Sequence, residues 1–226
     1  MVAPTLAFLI MMGKLITKIT AQQRNPNRVN IFLDGEYAFS LDRLNAAWLT
    51  KGRQLSDPEI EQLLTKEEFT SAMGKALRFL GHRARSRQEM ERYLQGKGYQ
   101  EGLIRSVLQY LEADRLLDDS EFADQWIDNR QCFRPRSQRL MRLELRQKGL
   151  DEQVIATAFE KADLEELDLA LSAGRKLVGR YQKLEKQDFR RKLAGALQRR
   201  GFSYDTVKEC LSQLEQELSK PEGVEN

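Results

Sequence analysis

Between residues 14 and 41 the apolar positions fall two apart. Val29, Ile31 and Leu33 alternate with polar neighbours apart from Phe32, and Tyr37, Phe39 and Leu41 resume the alternation after Asp34-Gly35-Glu36. A period of two marks a strand with one buried face, so this is a β-hairpin. A two-residue turn at Asp34-Gly35 pairs Phe32 with Tyr37 and sets Ile31 opposite Ala38, which mismatches the faces. A three-residue loop with a glycine bulge pairs Leu33 with Tyr37 and Ile31 with Phe39, and is preferred. Leu15, Thr17 and Ile19 offer a third strand, set apart by the turn-rich Arg24-Asn25-Pro26-Asn27. Leu44 to Leu49 reads as a short helix, and Ser56-Asp57-Pro58-Glu59 opens another, with the proline in its first turn.

Downstream the period becomes helical, and one unit is written three times. Leu94-Gln95-Gly96-Lys97-Gly98-Tyr99 recurs as Leu145-Arg146-Gln147-Lys148-Gly149-Leu150 and as Leu197-Gln198-Arg199-Arg200-Gly201-Phe202, the last glycines standing 51 and 52 positions apart. Met90, Met141 and Leu193 keep step before the glycine, as do Ile104, Ile155 and Val207 after it. Each glycine sits where a helix ends in a left-handed residue, and Tyr99, Leu150 and Phe202 are placed to fold back on the leucine five earlier, as a Schellman cap requires. An amphipathic helix follows each glycine, and a further one, beginning near Ala72, Phe122 and Leu169, precedes each pair.

The expected fold is mainly α: three tandem three-helix bundle repeats in an elongated, curved array behind a small N-terminal hairpin or three-stranded sheet with short helices. Residues 1–65 are assigned to the β-containing domain (1–13 disordered), 66–120, 121–166 and 167–220 to the repeats, and 221–226 to a disordered tail.

Composition narrows the chemistry. The 226 residues include one histidine, His82, and two cysteines, Cys132 and Cys210. Ser-His-Asp chemistry, histidine-rich metal sites and disulfide scaffolds lack their parts, so the chain is expected to be no enzyme, with no cofactor and no metal. The apolar run Leu6 to Met12 falls far short of the roughly 20 residues of a membrane span. It reads as a frayed terminus or as an upstream start codon, with Met11 or Met12 the true beginning. A cytoplasmic monomer with no membrane association is expected. Asp118-Asp119-Ser120-Glu121 suits a helix N-terminus, where oxygens satisfy free amides, better than a magnesium site without a third ligand.

Net charge is only +3, but it is banded: residues 130–148 carry +6, 151–168 carry −6 and 175–200 carry +8. Arg83-Ala84-Arg85-Ser86 and Arg134-Pro135-Arg136-Ser137 repeat a pattern 51 apart, and Ser86 begins a capping box with Glu89. Cations crowding a helix N-terminus oppose its dipole. They call for internal acids such as Asp118 or Asp119, or for an external phosphate or acidic protein surface. The candidate partner-binding residues are Arg83, Arg85, Arg87, Arg134, Arg136, Arg139, Arg142, Arg190, Arg191, Lys192, Arg199 and Arg200.

Segments 76–99, 116–130, 134–150 and 179–211, including Leu116-Leu117-Asp118-Asp119 and Arg134-Pro135-Arg136-Ser137, resemble the RecX family of bacterial regulators of the RecA recombinase. The resemblance covers about two-thirds of the chain and all three units. It implies a modular protein of three-helix repeats that binds RecA and the groove of the RecA–single-stranded DNA filament, restrains ATP hydrolysis and strand exchange in recombination and SOS repair, and contacts DNA weakly. The rival reading is a DNA-binding helix-turn-helix array with no recombinase partner.

Overall fold

The computed structural model describes residues 13–219, so the expectations for residues 1–12 and 220–226 lie outside it. Among the described residues two compact units are distinguished: one comprises 13–82 together with 94–107, the other 83–93 together with 108–219.

Strands β1 (Lys14–Ala21), β2 (Arg28–Leu33), β3 (Glu36–Asp42) and β4 (Gln54–Leu55) form an antiparallel sheet in the order β3-β2-β1-β4. The hairpin differs from expectation. Asp34 (φ 51°) and Gly35 (φ 94°) make a two-residue turn, both left-handed as a type I′ turn demands, and Leu33 pairs with Glu36 and Phe32 with Tyr37. The face mismatch is repaired inside β3: the register shifts between Phe32 and Ile31, Ala38 is the extra residue, and Ile31 still faces Phe39. Two further differences stand. Strand β4 is too short to show a period of two. Leu44 to Leu49 is not a helix but a run of turns closed by Ala46 N–H to Asp42 C=O and Leu49 N–H to Ala46 C=O. Ile16, Ile31, Leu41 and Leu55 are fully buried under this sheet, with Leu63 from the next helix.

That helix, α1 (Asp57–Leu80), starts at the expected capping box, Ser56 with Glu59, and runs unbroken for 24 residues, so the position expected to separate sheet domain from first repeat lies within it. Glu67 on α1 is buried, and its carboxylate accepts from Arg28 (2.6 Å), the Asp42 amide (2.6 Å) and Asn45 (3.2 Å). A buried carboxylate needs such partners, and these fasten the sheet to the helix.

The eight remaining helices among the described residues are α2 (Arg87–Gln95), α3 (Glu101–Ala113), α4 (Asp119–Phe133), α5 (Gln138–Gln147), α6 (Glu152–Ala162), α7 (Glu166–Tyr181), α8 (Lys186–Gln198) and α9 (Tyr204–Ser219). Gly98, Gly149 and Gly201 have φ of 83°, 83° and 89°. Their turns carry the expected paired bonds: Tyr99 N–H to Leu94 C=O with Gly98 N–H to Gln95 C=O, and the same at Leu150 and Phe202. Within the second and third repeats helix packs on helix inside each trio, yet residues from Phe122 to Leu214 make one continuous apolar core.

Candidate partner-binding surface

Ser86 and Ser137 are fully buried, and both cap the helix they precede: Glu89 N–H donates to Ser86 Oγ at 3.2 Å and Leu140 N–H to Ser137 Oγ at 3.1 Å. Each also reaches the glycine turn of the repeat that follows. Ser86 Oγ donates to the Lys148 carbonyl at 2.6 Å, and Ser137 N–H donates to the Arg200 carbonyl at 2.9 Å. The next amide along goes to a carboxylate at the head of that repeat's first helix. Arg87 N–H donates to Asp119 at 2.8 Å, and Gln138 N–H to Glu166 at 3.0 Å. The Arg-x-Arg-Ser pattern is thus half of a joint between successive repeats, used twice. It is not used a third time. Helix α8 begins about a turn early, and buried Phe189 stands twelve before Gly201, where Ser86 and Ser137 stand twelve before their own glycines.

The same contacts answer the question posed by cations at helix starts. Asp118 is spent on capping α4, accepting from the Ser120 and Glu121 amides, and Asp119 belongs to the joint. Burial raises the pKa of Asp119, opposed by the Arg87 amide and charge. Arg83 forks onto Glu89 (2.9 and 3.0 Å), which also takes Lys148. Burial alone would push the Glu89 carboxyl up, but the hydrogen bonds from Arg83 and Lys148 prevail and hold it at about 2. Arg87 pairs with Glu112 at 2.8 Å.

In the second repeat Glu144, the one acid of its basic band, accepts from Trp126 Nε1 (2.9 Å), Arg130 Nε (2.8 Å) and Arg136. Burial lowers the pKa of Arg136, and the charges of Arg130, Arg134 and Arg200 lower it further. Arg142 lies over the Phe159 ring, 4.1 Å from its centroid. In the third repeat Arg190 pairs with Glu215 and Arg191 with Asp188, while Arg200 donates to the Ala196 carbonyl. Arg85 is half-buried, and its pKa is lowered by burial and by Arg83. Arg134, Arg139, Lys192 and Arg199 are exposed and make no salt bridge to another described residue, so among the candidate residues their charge is the most available.

Sequence reasoning placed the arginines but missed what stands between them: the serines as joint residues, and Glu144 as their hub. The recurrence of serine at the same spacing was the available signal.

Four family models match in chain order: the regulatory protein RecX N-terminal domain over residues 14–56 and the first, second and third RecX three-helix domains over 72–111, 118–158 and 164–211. The chain belongs to the RecX family. Regulatory protein RecX of Bacillus subtilis strain 168 is 33% identical over 205 residues, covering 89% of this chain and 78% of the relative, and that of Bacillus licheniformis is 32% identical with the same coverage. A crystal structure of regulatory protein RecX superposes with a TM-score of 0.63 at 26% identity, over 88% of this chain and 99% of that one. RecX from Lactobacillus salivarius shares the fold at a TM-score of 0.55 and 22% identity, over 67% and 99%. Among the described residues no helix is long and apolar enough to cross a membrane.

Proposed function

We propose that the chain is a cytoplasmic, monomeric, non-enzymatic regulator that binds the RecA recombinase and its filament on single-stranded DNA and restrains ATP hydrolysis and strand exchange. The observation that carries the reading is that four of the candidate cations, Arg134 and Arg139 on the second repeat and Lys192 and Arg199 on the third, are exposed with no salt bridge to another described residue, in a chain of the RecX family. Several weak ionic contacts offered by linked modules bind a repeating lattice with high effective concentration. Contacts that bridge neighbouring filament subunits hinder the motion that accompanies nucleotide turnover. Arg136 drops out as a primary contact in this account, because Glu144 already holds it.

The alternative, a DNA-binding helix-turn-helix array, requires the helix after each turn to approach the nucleic acid with its N-terminal end. Those ends carry Glu101, then Asp151 and Glu152, then Asp205, and carboxylates there repel phosphate. The test is the steady-state ATPase of the cognate recombinase on single-stranded DNA, titrated with the full chain. Inhibition that weakens when Arg134, Arg139, Lys192 and Arg199 become alanine supports the reading; no effect of the wild-type chain on turnover refutes it.

A further inference from the structure

The second and third repeats differ at one groove. In the second, the space between α5 and α6 is filled from within: Arg142 lies on Phe159, and Arg146 forks onto Glu152 at 2.7 and 2.8 Å. Counting from the repeat glycine, Ala194 stands where Arg142 stands, Gln198 where Arg146 does, Tyr204 where Glu152 does and Leu211 where Phe159 does. The arginine on the ring has become a methyl group, and the carboxylate that anchors its neighbour Arg146 has become a phenol. What remains between α8 and α9 is an open groove of about 390 Å³ with Ala194, Val207 and Leu211 in its lining and Arg190, Arg191, Lys208 and Tyr204 beside them. Val207 and Leu211 belong to the repeat's apolar core, Tyr204 is 70% exposed, and Lys208 is exposed with no salt bridge to another described residue.

We infer that this groove takes an acidic amphipathic helix of a protein partner. An apolar base beside a cationic rim complements a segment that presents apolar side chains on one face and carboxylates on its flank. Tyr204 offers the kind of exposed aromatic that anchors protein interfaces. The exposed pairs that Arg190 and Arg191 make with Glu215 and Asp188 are worth little, so a partner carboxylate can replace them. The apolar lining offers nothing to a phosphodiester backbone, which favours a peptide over nucleic acid. This deepens the regulator reading and rests on it, since it names the chemistry of the partner segment that the third repeat would hold.

The experiment measures fluorescence anisotropy of a labelled model peptide of about 16 residues, leucine on one helical face and glutamate on the flanks. A peptide with lysine for glutamate and a labelled oligothymidine serve as comparisons, all titrated with the full-length chain. Only the acidic peptide should bind, with an affinity that falls as salt rises. Ala194→Arg restores the filling of the second repeat and should weaken binding roughly tenfold or more. Tyr204→Ala, at an exposed position that leaves the core intact, should weaken it as well and stands in if Ala194→Arg fails to fold. No binding of the acidic peptide, binding unchanged in both variants, or oligothymidine binding that Ala194→Arg abolishes would each overturn the assignment. No recombinase is present, so this result is separate from the fate of the ATPase test.

Discussion

Ser137 Oγ lies where Gly201 has no side chain: a Cβ built on Gly201 would fall 2.4 Å from it, and 2.9 Å from Leu140 Cβ. Gly149 is in the same position beneath Gln88, at 2.3 Å from its Cδ and 2.5 Å from its Cβ, whereas Gly98, with the same left-handed backbone, meets nothing within 4 Å. The three equivalent glycines therefore separate two roles of the residue.

Gly98→Ala should cost only the left-handed strain, about 1–2 kcal/mol. Gly149→Ala and Gly201→Ala should cost at least about 1 kcal/mol more, because a methyl group there displaces the docked helix start. Urea denaturation of the three variants checks the order. Equal losses at all three sites would mean that the joint contributes nothing to stability.

Glu144 is the hub of the second repeat, its side chain 11% exposed and held by Trp126 and two arginines. Glu144→Ala leaves Arg130, 15% exposed, without its carboxylate, and should destabilise by about 3 kcal/mol. Glu144→Gln, which keeps the shape and an acceptor, should lose less. The measurement is the shift of the denaturation midpoint at unchanged slope.

Glu89 sets an acid dependence. Its carboxyl titrates at about 2 in the folded chain against 4.5 when unperturbed, so its charged form is favoured by folding. That stabilisation is complete above the unperturbed value and is lost as pH falls toward 2. Asp119 works in the opposite sense, since its pKa is raised by burial. Wild type should therefore lose stability relative to Glu89→Gln on acidification through this window. Parallel pH profiles of the two proteins would contradict the ion-pair geometry around Glu89.

The cysteines should differ in reactivity. Cys132 is exposed, while Cys210 is buried and its thiol is pushed up to about 11, chiefly by that burial. The thiolate is the reactive form, so a disulfide reagent should label one thiol per native chain and two after unfolding.

Much of this architecture was legible because glycine caps and apolar stripes are local. Leu94, Gly98 and Tyr99 specify their turn within six residues, and the spacing of 51 and 52 exposes the copies. The hairpin was misjudged by one residue because an extra residue in the strand and one in the loop restore Ile31 to Phe39 equally well. What joins the repeats was not legible. Ser86 meets Lys148 across 62 positions, and nothing in either residue type announces the partner. The arginines were visible as a band, but which of them are consumed depends on where Glu144, Glu89 and Glu112 arrive in space.

The most direct measurement of the central claim is the affinity of the full chain for recombinase-coated single-stranded DNA against the same DNA bare, at physiological salt. The account predicts much tighter binding to the coated strand, and a loss of roughly tenfold or more when Arg134, Arg139, Lys192 and Arg199 become glutamate. Equal affinity for coated and bare DNA, or full retention of filament binding by that variant, would contradict it.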